Sequence, residues 1–177
     1  MTNQERESMR RVVRVIDSIS EQVGGWGRWL AIALVLVVTY GVILRYIFSK
    51  PNLWPYEVAI MLGSSLYILG LSYTYRYDRH IRVDIIYAHL APRWMGLIDV
   101  IGSMILFFPI MILVSYVSVT WTIDAWVSGE RMMETGWYPP AGPLRTVVSI
   151  GFIAFTLQGV AQFLRGIHRL RRNENYD

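Results

Sequence analysis

The chain has 177 residues, 54% of them hydrophobic, with 17 Lys and Arg against 13 Asp and Glu and a formal net charge of +4. So apolar a composition excludes a soluble helix bundle, whose helices each keep a polar face for water. Without cysteine there is no disulfide and no thiolate metal site.

Residues 1–28 are polar or mixed. Met9, Val12, Val13, Ile16, Ile19 and Val23 recur at helical spacing, while Arg10, Arg11, Arg14, Asp17 and Glu21 fall largely elsewhere on the wheel. This predicts a basic amphipathic helix lying in the membrane interface. Gly24, Gly25 and Gly27 predict a flexible break where the chain turns into the membrane.

Four apolar blocks follow, at about 29–48, 56–75, 97–121 and 144–164. Each matches the ~20 residues that a helix needs to cross ~30 Å of hydrocarbon. The first block lacks a small-residue cleavage site and reads as an uncleaved anchor. In the second, Ala59, Gly63 and Gly70 share a face that permits close helix approach, either inside the subunit or toward a partner.

After the second block, Val83, Ile86, Tyr87 and Leu90 predict a short surface helix, with Asp84 in its first turn and Pro92 at its end. Pro109 predicts a kink in the third span. Residues 165–177 form a basic tail. The fold class is therefore an all-α membrane protein: a four-helix transmembrane domain at 29–164, an amphipathic segment at 1–28, short interfacial helices and the tail.

Basic residues alternate in their distribution. Arg6, Arg10, Arg11, Arg14, Arg28, Arg76, Arg79, Arg82, Arg93, Arg165, Arg169, Arg171 and Arg172 fall on one side, against Arg45, Lys50, Arg131 and Arg145 on the other. By the positive-inside rule both termini are cytoplasmic. The excess arginine reads as topology and contact with membrane lipids rather than with nucleic acid. All seven tryptophans lie at or just outside block ends, where amphipathic rings prefer the headgroup level.

Intramembrane chemistry is sparse in this pattern. Glu57, Asp99 and Asp124 sit near span ends, and Gln158 is the strongest polar group well inside a span. A proton relay or ion site usually needs charge near the midplane. Glu57 is placed to complement the positive end of the second helix and to pair with Arg45 across the short connection, or alternatively to touch a partner subunit. Asp99 has the same two readings, with Arg93 as neighbour. The three histidines, His80, His89 and His168, lie outside the spans, which disfavours haem ligation. His80 and Asp84 share a helical face but read as exposed polar residues. No catalytic group, metal site or cofactor is predicted, and the segments between spans are too short for a catalytic domain.

Several local patterns converge. Arg45-Tyr46-Ile47-Phe48, Trp54-Pro55-Tyr56-Glu57, Gly70 with Arg76, and His80-Ile81-Arg82-Val83-Asp84 resemble the small membrane subunit, the DctQ-type component, of tripartite ATP-independent periplasmic (TRAP) transporters. The order and spacing match from about Arg45 to Asp84, and four spans with both termini inside fit the rest. The resemblance implies a non-enzymatic scaffold in a bacterial inner membrane. It would assemble with a large permease that holds the ion and substrate sites and with a periplasmic solute-binding protein that delivers an organic anion, often a carboxylate. Arg45, Trp54, Glu57, Ala59, Gly63, Gly70, Arg76, His80 and Asp84 are the candidate partner-interface residues. The different reading that the composition leaves open is a membrane anchor for a respiratory or redox enzyme.

Overall fold

A computed structural model of the chain describes residues 3–50, 52–76 and 92–172. In order these form helix α1 (Asn3–Tyr46), α2 (Trp54–Arg76), α3 (Pro92–Gly102), a π turn (Ser103–Phe107), α4 (Phe108–Ser128) and α5 (Gly142–Arg172). The π turn joins α3 to α4 as one span. Among the described residues four helices are thus long and apolar enough to cross a membrane: Arg10–Tyr46, Trp54–Arg76, Trp94–Ser128 and Gly142–His168. The short surface helix expected around residues 83–92 lies mostly outside the described residues.

The expected break at Gly24, Gly25 and Gly27 does not occur. α1 is one helix of 44 residues, about 66 Å at 1.5 Å per residue. Gly24 and Gly27 serve packing instead. A Cβ on Gly24 would lie 2.4 Å from Tyr73 Cδ2, and one on Gly27 would lie 3.3 Å from Leu66 Cδ1, both on α2. Backbone hydrogen bonds of the helix are satisfied internally, so in an apolar setting they outweigh the entropic cost of glycine.

Before Pro109 the helix departs from α geometry. Proline has no N–H and its ring crowds the carbonyl four residues back. The preceding turn widens to π geometry, with the Phe108 N–H reaching the Ser103 carbonyl five residues back. The span ends at Gly129, whose φ of 63° is left-handed, and the Glu130 N–H returns to the Ala125 carbonyl at 3.1 Å, a Schellman-type closure.

α5 is the hub, touching every other helix. In its most apolar window 39% of residues are buried, against 0% in the third span and 6% in the first. Val13 and Ile16 of α1 pack on Ala161 of α5, with Val160 and Leu164 around them. Near the C-terminal end of α5, on another face of that helix, α3 and α5 cross so closely that a Cβ on Gly96 would lie 2.7 Å from the Leu170 nitrogen and 2.8 Å from the Gly166 carbonyl oxygen. Closer to the middle of α5, Phe107 stacks on Tyr75 at 5.6 Å and meets Phe155 at 5.4 Å. Hydroxyls tie α4 to α5: Ser115 with Thr156 at 3.0 Å, and Thr122 with Ser149 at 2.7 Å.

Candidate functional site

Two polar layers bound the bundle, one at the end where the chain termini lie and one at the end of the 129–141 loop. Their spacing follows from helix rise. Arg145 and Arg165 on α5 are separated by about 30 Å, and Glu57 and Arg76 on α2 by about 28 Å, which is the thickness of bilayer hydrocarbon.

At the terminal end Asp17 of α1 is the organising group. Its carboxylate pairs with Arg165 and accepts a bond from Gln158 Nε2 at 3.1 Å. Gln158, fully buried, accepts from Ser20 Oγ at 2.7 Å. Arg76 of α2 donates to the Asp17 backbone carbonyl at 3.1 Å and pairs with Glu21 at 2.9 Å. Gln162 Nε2 donates to the Tyr75 carbonyl at 3.0 Å. Three helices are thereby locked together, and each polar atom finds a partner where an unpaired one is costly. The amphipathic pattern placed Asp17 on a solvated face; only the tertiary pairing with Gln158 and Arg165 shows its role. A carboxylate on α1 and an isolated glutamine inside the last span were the signals available.

At the loop end Arg145 is the organising group. It forms a bidentate pair with Glu130, lies 3.8 Å above the Trp121 ring and donates to the Trp121 carbonyl at 3.3 Å. Arginine's planar fork suits this combination of carboxylate and aromatic face. The loop closes by an antiparallel bridge between Arg131 and Pro140, with Met132 N–H to the Pro139 carbonyl at 2.8 Å.

The candidate interface residues are scattered by the fold. Arg45 is exposed at the end of α1 and sits 5.7 Å from the Tyr46 ring; it does not pair with Glu57. The reason is that α2 turns the Glu57 side chain inward. Glu57 is fully buried, accepts a bond from Thr135 of the loop, and leaves Oε2 without a hydrogen bond among the described residues. Trp54, half-buried, bridges Tyr40 at 5.6 Å and Trp137 at 6.5 Å, an aromatic girdle joining α1, α2 and the loop. Arg76 belongs to the terminal layer. His80 and Asp84 lie outside the described residues.

Ala59, Gly63 and Gly70 do share one face of α2, as their spacing requires. Close packing within the subunit is not found there: a Cβ added at Gly63 or Gly70 would meet nothing within 4 Å. At 100° per residue this face adjoins the edge of α2, carrying Leu66 and Tyr73, that contacts α1, and it points away from Ile68 and Ser72 on the buried side. Tyr67, beside it, is 72% exposed. The close approaches lie elsewhere, at Gly24, Gly96, Gly151 and Gly159. Among the described residues no group of three or more His, Asp or Glu is arranged to hold a metal ion.

The family model described as tripartite ATP-independent periplasmic transporters, DctQ component, matches residues 34–169 of the chain. No curated protein and no solved structure matches it.

Proposed function

The chain belongs to the DctQ component family of tripartite ATP-independent periplasmic transporters, and from that premise we propose that it is the auxiliary membrane subunit of such a system. In this reading it sits in a bacterial inner membrane with both termini cytoplasmic. It assembles with a separate large permease, which holds the ion and substrate sites, and works with a periplasmic solute-binding protein. The system takes up an organic anion, by the family's chemistry a carboxylate, driven by an ion gradient. The small subunit is a scaffold and performs no catalysis.

The observation that carries this reading is the use made of the polar groups inside the bundle. Asp17, Ser20, Gln158 and Arg165 bond one another and hold helices together, so their hydrogen-bonding capacity is spent on assembly. The apolar sides of α1 and of the third span, meanwhile, are left open, which suits lateral contact with a larger membrane partner. The face of Ala59, Gly63 and Gly70 is the proposed point of closest approach to the permease. A redox-anchor reading gains no support from a family of transporter components.

Reconstitution tests it. Vesicles holding this chain alone should take up no organic acid under a sodium gradient, and adding the large permease and binding protein should restore uptake; uptake by the chain alone refutes the scaffold role. For topology, a cysteine introduced at Asn173 should be protected from an impermeant reagent in intact cells while one at Glu134 is labelled. The reverse pattern refutes the orientation.

A further inference from the structure

A cavity of about 540 Å³ opens between α2, α4, α5 and the 129–141 loop, lined among others by Ser64, Glu130, Arg131, Glu134, Arg145 and Val148. Its charges divide into two kinds. Glu130 and Arg145 satisfy each other in the bidentate pair. Arg131 and Glu134 are exposed and form no ion pair among the described residues; Arg131 makes one long bond, 3.3 Å, to the Tyr138 carbonyl. One unpaired cation and one unpaired anion therefore face a single cavity. That arrangement complements a zwitterion.

The depth of the cavity identifies what kind. Ser64 lies seven residues along α2 from Glu57, about 10 Å below the loop-end polar layer. Val148, about one turn further along α5 than Leu144, adds apolar surface at that depth, and Leu144 and Met133 add it nearer the loop. The site thus runs from the headgroup level into the first part of the hydrocarbon. Arg145 already covers one face of the Trp121 ring, so what the cavity offers an ammonium is the Glu134 carboxylate rather than an aromatic cage. A primary ammonium, which donates hydrogen bonds to a carboxylate, fits better than a choline.

We propose that this cavity binds the headgroup of a phospholipid bearing a primary amine, in the leaflet at the loop end, with Arg131 on the phosphate and Glu134 on the ammonium. The headgroup bridges two charges that the fold leaves apart, and the acyl chain follows the apolar wall. The loop, held by the Glu130–Arg145 pair and the Arg131–Pro140 bridge, is pre-formed for it.

The test uses the full chain, purified in detergent and stripped of lipid. It is exposed to equal amounts of dioleoyl phosphatidylethanolamine, phosphatidylcholine and phosphatidylglycerol, and retained lipid is read by native mass spectrometry. The expected result is a preference of about fivefold for the ethanolamine lipid over the choline lipid, the size of one partly screened ion pair. Glu134→Gln should abolish that preference and leave phosphatidylglycerol binding unchanged. Arg131→Gln should weaken all three. The proposal is overturned if Glu134→Gln keeps the preference, if phosphatidylglycerol binds as well as the ethanolamine lipid, if the lipids bind without selectivity, or if soluble phosphoethanolamine displaces the lipid at equal concentration. Both positions are exposed, and Glu134→Gln carries the decision should Arg131→Gln disturb the loop.

Discussion

Gly63 and Gly96 undergo the same chemical change when mutated to alanine, in opposite surroundings. At Gly96 the new Cβ would sit 2.7 Å from the Leu170 nitrogen and 2.8 Å from the Gly166 oxygen, both backbone atoms that cannot swing aside. Reaching an ordinary contact distance of 3.4 Å needs α3 and α5 to separate by about 0.7 Å, and a gap of that order forfeits roughly a quarter to a half of each contact's dispersion energy. Overpacking of this kind costs about 1–3 kcal/mol. At Gly63 nothing lies within 4 Å, so only helix propensity changes, in favour of alanine by up to about 1 kcal/mol. That propensity gain is shared by both variants and cancels in the difference. Gly96→Ala should therefore be about 1–3 kcal/mol less stable than Gly63→Ala, measured by denaturant or thermal unfolding of the isolated subunit in micelles. Equal stability, or a more stable Gly96→Ala, refutes the assignment of the close crossing to Gly96. Gly63→Leu extends the comparison: isolated stability should not fall, since helix propensity favours leucine over glycine by up to about 1 kcal/mol, while copurification with the large permease falls.

Gln158→Leu removes the acceptor for Ser20 and a donor to Asp17, and should cost about 1–3 kcal/mol in the same unfolding assay; an unchanged midpoint would show that the terminal layer does not hold the helices. Arg145→Lys keeps the charge but loses the fork on Glu130 and the stacking on Trp121. It should expose the 129–141 loop to limited proteolysis at concentrations that leave the parent intact, and equal cleavage rates would refute its role as the loop's anchor.

Much of this architecture is visible in residue order. Apolar length alone marks four spans, the seven tryptophans fall at block ends, and Pro109 announces the irregular turn that the π geometry realises. What pattern could not supply is the choice between two uses of one residue type. Glycine at 24, 25 and 27 reads as a hinge by conformational entropy, yet Tyr73 and Leu66, about 40 to 50 residues away in the chain, make that segment a packing face. Gly63 and Gly70 read as a packing face and are open. Glu57 likewise has an obvious local mate in Arg45, but the rotation of α2 gives it to Thr135. Each of these errors concerns a long-range neighbour, on which periodicity is silent. The match over residues 34–169 secures the family but carries no information on which long-range neighbour each of these residues meets.

The two polar layers also make this subunit a gauge of bilayer thickness. Lipid tails are as apolar as the side chains they touch, so apolar burial drives helix association weakly in a membrane, and the ties at Asp17–Arg165 and Glu130–Arg145 carry a correspondingly large share. They are fixed about 30 Å apart by the rise of α5. A thinner bilayer would leave apolar surface in the headgroups, and a thicker one would draw one ionic layer into hydrocarbon. Each ångström of mismatch costs a fraction of a kcal/mol, so over a few ångströms the lipid environment competes with a single hydrogen bond in the bundle.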